Sequence, residues 1–200
     1  ILLPVFLVPF CMEQEKGLKH LRLYLPTVCY AIVIVLCITL PVGAGHSFIF
    51  DLRQIPLWLG SLYGGMGAAI CLGIVTIAYR SFFGGIGILI TAVVVIAIVA
   101  ISLLLTKKFV RLPSKQRSLL ATALSFGSGL LTVAMAGWLA PADHPPLSVS
   151  LIFLLVQPAS MFIVCTFREM VQHNIMLRKQ IIRAEKMEAV THLAASISHE

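Results

Sequence analysis

The sequence predicts an all-α fold: a polytopic membrane helix bundle with five complete spans and a truncated first span, followed by a cytoplasmic signalling helix. Three observations indicate this class. Hydrophobic residues make up 59% of the chain and charged residues only 12%, unlike a soluble domain. The apolar residues form segments of about 20, the length that crosses roughly 30 Å of hydrocarbon. From Arg168 to Glu200 the sequence is polar, without Gly or Pro, as in a long exposed helix.

The spans follow from the limits of the apolar segments. Residues 1–11 are apolar and begin without Met, so we expect a truncated span there and an incomplete chain at both ends. The five complete spans are predicted at 23–43, 55–78, 85–105, 118–139 and 147–167. We divide the chain into a sensor region at 1–167, a linker helix at 168–186 and the start of another domain at 187–200.

The basic residues predict the orientation of the spans. Residues 106–117 contain five Lys and Arg residues and residues 140–146 contain none, so the first loop is predicted in the cytoplasm and the second outside. Counting spans then places the tail from Arg168 in the cytoplasm. Residues 12–22 contain three basic residues and yet fall outside in this assignment. Either this loop is a tolerated exception, accompanied by the acidic Glu13 and Glu15, or residues 1–11 do not cross the membrane.

The net charge of +7 is explained by these flanking residues, so we expect contact with membrane lipid and no binding of nucleic acid. The five cysteines lie in apolar stretches without a CxxC pair or a neighbouring His, and we predict no metal site. Aromatic residues near the span ends, Trp58 among them, are expected at the membrane interface.

Small residues leave two structures open for the 55–78 span. Gly60 and Gly64 form a GxxxG pattern, which most often lets two membrane helices pack closely. The pair Gly64 and Gly65 can instead break the helix and free backbone groups to line a cavity.

Three charged residues flank the same span and are candidate ligand-binding residues. Asp51 and Arg53 precede it and Arg80 follows it, where charges are usually interface anchors or functional partners. An unbroken helix would separate the two arginines by about 40 Å. They can share one anionic ligand only if the span is broken, most plausibly at Gly64 and Gly65, and otherwise remain separate anchors.

The stretch from Phe50 to Gly87 resembles the five-transmembrane receptor region of LytS-type sensor kinases. The similar features are Asp-x-Arg, a Gly-Gly pair half-way along the span, Tyr-Arg and a second Gly-Gly pair. In this chain they are Asp51 and Arg53, Gly64 and Gly65, Tyr79 and Arg80, and Gly84 and Gly85. The resemblance implies a receptor for a small molecule or an envelope signal.

The last sixteen residues resemble the beginning of the dimerisation and phosphoacceptor domain of bacterial sensor histidine kinases. The matching features are Glu-Lys-Met at 185–187, Leu-Ala-Ala-Ser at 193–196 and Ser-His-Glu at 198–200. The resemblance implies phosphorylation of His199, beside the carboxylate of Glu200. A neutral imidazole can attack phosphorus, and the ordinary pKa of histidine, about 6.5, leaves it largely neutral at pH 7. KinB-type sporulation kinases are the most similar in this tail.

The two resemblances together imply a multi-pass kinase of the bacterial cell membrane in a two-component system or phosphorelay. They imply a homodimer, a response regulator as partner, and ATP and Mg²⁺ bound by a catalytic domain outside this fragment, which itself needs no cofactor. The alternatives are a small-solute transporter with a regulatory cytoplasmic helix, since transporters also use glycine-broken spans, and a non-catalytic membrane scaffold.

Overall fold

The computed structural model describes residues 19–40, 42–43, 49–50, 52–139 and 146–197, with side chains described at 24–40, 52–139 and 146–188. These ranges form five α-helices and a short antiparallel ribbon. The helices are α1 (Lys19–Thr39), α2 (Gln54–Ser81), α3 (Gly87–Phe109), α4 (Ser114–Leu139) and α5 (Leu147–Ile197), and the ribbon pairs β1 (Val42–Gly43) with β2 (Ile49–Phe50). The predicted polytopic helix bundle is confirmed.

The outward faces of the helices are apolar. Leu104 on α3, Leu119 on α4 and Leu155 on α5 are 78%, 70% and 70% exposed, which is stable only against lipid. Within the described residues, α2 to α5 each contain a stretch long and apolar enough to cross a membrane, and Tyr24–Thr39 of α1 is a shorter apolar stretch. The chain is therefore a multi-pass membrane protein.

Local chemistry sets the turns on either side of α3. Gly84 and Gly85 have φ angles of 70° and 80°, which separate α2 from α3 at little steric cost. After α3, the guanidinium of Arg117 donates hydrogen bonds of 2.7 Å to the carbonyl oxygens of Val110 and Leu112. These bonds satisfy carbonyl groups that a helix end leaves without partners, and they fix the turn into α4.

Helix α2 is broken and folds back on itself. Gly65 has φ 80° and ψ −170°, a backbone conformation outside the helical region, and it divides the helix into arms at 54–64 and 66–81. A Cβ added to Gly60 would overlap Cδ1 of Leu72, twelve positions further on. In a straight helix these positions would be about 18 Å apart, so the two arms pack against each other as a hairpin.

The contacts of α2 define the two ends of the bundle. The hydroxyl groups of Thr39 and Tyr79 are 2.8 Å apart, so α1 ends beside the end of α2. Tyr63, near the apex of the hairpin, contacts Phe109 with ring centroids 5.1 Å apart, and its hydroxyl lies 3.3 Å from Sγ of Cys165. We call these the Thr39 end and the Phe109 end. The hairpin starts and finishes toward the Thr39 end, and its apex points to the Phe109 end.

The chain divides into two units, at 1–166 and 167–200. The second unit is helical as far as Ile197, and its side chains from 176 to 188 are exposed. The predicted boundaries at 167, 186 and 187 remain predictions.

Candidate ligand cleft in the membrane bundle

Arg53 lies immediately before the first arm of α2 and reaches across to α3. Its Nη2 donates a hydrogen bond of 2.8 Å to Oγ1 of Thr91, and the residue is half-buried. A charged group in this position costs free energy unless polar partners surround it, which is why cations within membrane helices usually mark functional sites. The structure therefore places the guanidinium of Arg53 against α3, where the residue is half-buried.

Arg80 lies near the end of the second arm and also contacts α3. A Cβ added to Gly87 would lie 2.5 Å from Nη2 of Arg80, so the guanidinium packs directly against the backbone of α3 at this glycine. The guanidinium carbon is 6.0 Å from the ring centroid of Phe83. Its Nε is buried and has no hydrogen-bond partner among the described residues.

The break in α2 brings the two arginines to one end of α3. Arg53 contacts Thr91 and Arg80 contacts Gly87, and these two positions are one helical turn apart, about 6 Å along the axis. An unbroken α2 would place the arginines at opposite faces of the membrane. The structure thus contains the break on which a shared ligand depends, and it lies at Gly65.

A narrow, partly open cleft of about 20 Å³ lies beside Arg53 between α2, α3 and α4. Arg53 and three uncharged polar groups face an otherwise aliphatic wall. The lining residues are Arg53, Gln54, Leu57, Ile90, Thr91, Val94, Val95 and Thr132. This space holds about one water molecule, so a larger group can enter only if the surrounding side chains move. Arg80 does not line it and lies about one turn of α3 away.

A buried polar cluster continues from the cleft into the bundle. Gln54 donates from Nε2 to Oγ1 of Thr132 on α4 at 2.8 Å, and Oε1 of Gln54 accepts a 2.7 Å hydrogen bond from Nε2 of Gln157 on α5. Gln157 also donates to the carbonyl oxygen of Ser125 at 3.0 Å. The cluster ties α2, α4 and α5 together at the inner edge of the cleft.

Trp58 belongs to this cluster, and its predicted place at the membrane interface is wrong. The residue is 1% exposed, and Nε1 donates a 3.0 Å hydrogen bond to Oγ of Ser128. A place at the interface suits the end of a span that crosses the membrane once. Because the first arm turns back at Gly65, its residues face the bundle instead.

The remaining predicted site residues lie outside the described residues: Asp51, His199 and Glu200. Sequence analysis did not single out Gln54, Thr91, Thr132 or Gln157. A glutamine in an apolar span is a usable signal for Gln157, because a buried amide in the membrane needs partners. Among the described residues, no group of three or more His, Cys, Asp or Glu side chains is placed to hold a metal ion.

Comparison with known families identifies the class of domain that carries this cleft. The family model described as 5TMR of 5TMR-LYT matches residues 6–171. The chain belongs to this family. The 5TMR-LYT domain is a membrane sensory domain typical of histidine kinases, and the resemblance to a LytS-type receptor region is confirmed. Comparison with curated proteins and with solved structures gave no match.

Proposed function

We propose that this chain is the sensory region of a bacterial membrane histidine kinase and that a small anionic ligand binds beside Arg53 and Arg80. One observation carries the ligand proposal: the break at Gly65 lets both guanidinium groups contact adjacent turns of α3. Two cations at one end of a low-dielectric bundle repel each other unless an anion or a neighbouring carboxylate balances them. Asp51, two positions before Arg53, is the proposed third polar residue of the site.

The composition of the cleft limits the ligand further. Arg53 and the hydroxyl of Thr91 offer polar contacts to a charged head, while Leu57, Val94 and Val95 form an apolar wall. A guanidinium recognises planar or tetrahedral oxyanions through paired N–H donors. A compact anion that contacts both the guanidinium and the apolar wall matches this lining, and its entry requires the side chains of the wall to move.

The proposed output is phosphorylation of His199, with Glu200 orienting the imidazole and accepting its proton. ATP and Mg²⁺ would be bound by a catalytic domain in a longer protein. The phosphoryl group would then pass to a response regulator of a two-component system or phosphorelay, and the protein would act as a homodimer. The tail resemblance to KinB-type sporulation kinases supports this proposal in residues 185–200 alone.

The fold also supports a cytoplasmic tail. Helix α1 ends at Thr39 beside the end of α2, so it begins at Lys19 at the opposite, Phe109 end. The basic turn between α3 and α4 also lies at the Phe109 end. Helix α5 passes Tyr63 at Cys165, so it leaves the bundle at this same end. By the positive-inside rule we assign the Phe109 end to the cytoplasm, where ATP is present.

Ligand binding is tested with the full-length protein in lipid nanodiscs and a panel of small inorganic and organic anions. We expect Arg53→Ala to weaken binding of an active anion about 10- to 100-fold, because a hydrogen bond to a charged group contributes about 1.5–3 kcal/mol. Arg111→Ala is the matched control, since Arg111 is an exposed arginine at the Phe109 end. Equal affinities for the Arg53 variant and the control would remove Arg53 from the site.

The phosphoacceptor is tested in the full-length protein with labelled ATP. His199→Gln should abolish acid-labile phosphate on the protein, whereas His192→Gln, seven positions earlier, should retain it. Acid-labile phosphate that persists in the His199 variant would refute the assignment.

A small-solute transporter is the second candidate because α2 is a broken helix beside membrane-embedded charges, an arrangement that transporters also use. Proteoliposomes separate the two functions. Concentrative uptake of the anion that binds would support transport, and binding without uptake supports the receptor.

A further inference from the structure

The buried amide pair of Gln54 and Gln157 connects the cleft to α5. Gln157 is 0% exposed and Gln54 is 6% exposed, and the 2.7 Å hydrogen bond between them joins residues 103 positions apart. Gln54 directly follows Arg53 in sequence and lines the cleft with it. This hydrogen bond is a direct contact between a residue of the cleft and α5.

The geometry fixes which atom of Gln157 faces Gln54. Its Nε2 lies 3.0 Å from the carbonyl oxygen of Ser125, which can only accept, so the nitrogen and not the oxygen must point there. Nε2 also lies 3.3 Å from Oγ of Ser128. The two N–H groups of this amide are thus shared among several acceptors. The hydrogen bond from Gln157 to Gln54 therefore competes with its hydrogen bonds to Ser125 and Ser128 on α4.

The other end of the same amide is unsatisfied. Oε1 of Gln157 is buried and has no hydrogen-bond partner among the described residues, and a Cβ added to Gly129 would lie 3.1 Å from it. A buried carbonyl oxygen without a donor is less stable than a paired one, so this end of the amide adds no hydrogen bond that resists its movement. An amide held in this way responds to a small change at Gln54.

Gln157 also lies directly before Pro158, a proline inside α5. Pro158 follows it inside the helix and has no N–H, so the carbonyl oxygen of Leu154 lacks its usual helical donor. Bends in helices concentrate at such positions. A displacement of Gln157 therefore acts where α5 lacks a backbone hydrogen bond. Helix α5 continues from there as one helix to Ile197.

We propose that Gln157 is a positioning residue that transmits occupation of the cleft to α5. This inference rests on the function proposed above for the cleft. A group that enters beside Arg53 repositions the amide of Gln54, which changes the hydrogen bond to Gln157 and thereby the path of α5 at Pro158. Gln157 itself does not touch the bound group.

The test uses a covalent probe, so it does not depend on knowing the natural ligand. In the full-length protein without its native cysteines, Ile90→Cys in the cleft wall is labelled with the anionic reagent 2-sulfonatoethyl methanethiosulfonate. Autophosphorylation is measured before and after labelling. We expect labelling to change the rate about fivefold, within the usual range of coupling between sites.

Adding Gln157→Leu to the fully labelled protein should reduce the response to less than about 1.5-fold, because Gln157 does not line the cleft but joins its residue Gln54 to α5. Ser150→Ala is the matched control: Ser150 is a buried polar residue of α5 whose Oγ has no partner among the described residues. It should keep the full response. Gln157→Met, which keeps the length and removes the amide, serves as the second variant if Gln157→Leu does not insert.

Each outcome separates the two proposals. A full response in labelled Gln157→Leu or Gln157→Met overturns the coupling role and leaves the proposed function standing. Loss of the response in Ser150→Ala as well overturns the specific role of the amide. No response to labelling in the parent, with the cysteine fully modified, overturns the cleft as a signalling site.

Discussion

Replacement of Gly65 by alanine tests the hairpin on which the site depends. Gly65 has φ 80° and ψ −170°, a region that only glycine enters freely, and a Cβ added there meets no atom within 4 Å. The substitution therefore adds backbone strain without a steric clash, and we expect it to destabilise the hairpin by about 1–3 kcal/mol. Gly67→Ala is the matched control, because its Cβ also meets nothing within 4 Å and its backbone is helical. That variant should be neutral or slightly stabilising.

Spin labels at Leu52→Cys and Phe82→Cys measure the fold of α2 directly, in a protein that lacks its native cysteines. Thirty positions of straight helix would separate the labels by about 45 Å, whereas packed arms place them about 15–25 Å apart. We expect the short distance in the parent and in Gly67→Ala, and a population at the long distance in Gly65→Ala. A single long distance in the parent would refute the hairpin, and equal behaviour of the two glycine variants would refute the strain argument.

Two further predictions concern the bundle around the hairpin. Single cysteines at Lys19 and Ser114 should react with a membrane-impermeant maleimide from the same side of the membrane, and a cysteine at Ser81 from the other. Labelling of Lys19→Cys from the side of Ser81→Cys would contradict the fold. Gly60→Ala should destabilise the bundle by about 1–3 kcal/mol in thermal unfolding, because the added Cβ would overlap Leu72. Gly127→Ala is the control, because a Cβ added there meets open space. Equal unfolding temperatures of the two variants would contradict the close packing at Gly60.

Hydropathy predicted where helices lie but not how α2 passes through the membrane. A window of apolar residues has the same composition whether the helix crosses once or turns back, and the glycine pair left both outcomes open. Length was an unused signal, because 28 helical residues extend about 42 Å and the hydrocarbon is roughly 30 Å thick. The positive φ at Gly65 depends on the packing of the arms, which no local pattern encodes.

The charged residue of the site, Arg53, could be predicted from the sequence, whereas the amide residues Gln54 and Gln157 could not. Arg53 was notable in sequence because a charge beside an apolar span is costly. Gln157 costs less, since a glutamine can satisfy most of its hydrogen-bonding groups within a bundle, and only the fold shows that its partner is Gln54 at the cleft. The predicted position of Trp58 was wrong for a related reason. An aromatic residue near the end of a span suits the membrane interface, but this part of α2 is buried within the bundle.

The one loop that broke the positive-inside rule was informative about α2. With α2 as a single crossing, the basic residues at 12–22 fall on the opposite side from those at 106–117. A hairpin returns α2 to the end at which it starts, so only α1 and α3 pass between the two ends from Lys19 to the segment at 106–117, and Lys19 lies at the same end as that segment. The positive-inside rule then predicts the basic segments at 12–22 and 106–117 on one side of the membrane. Two properties with independent physical origins, backbone geometry at Gly65 and charge at the membrane surface, therefore support the same topology.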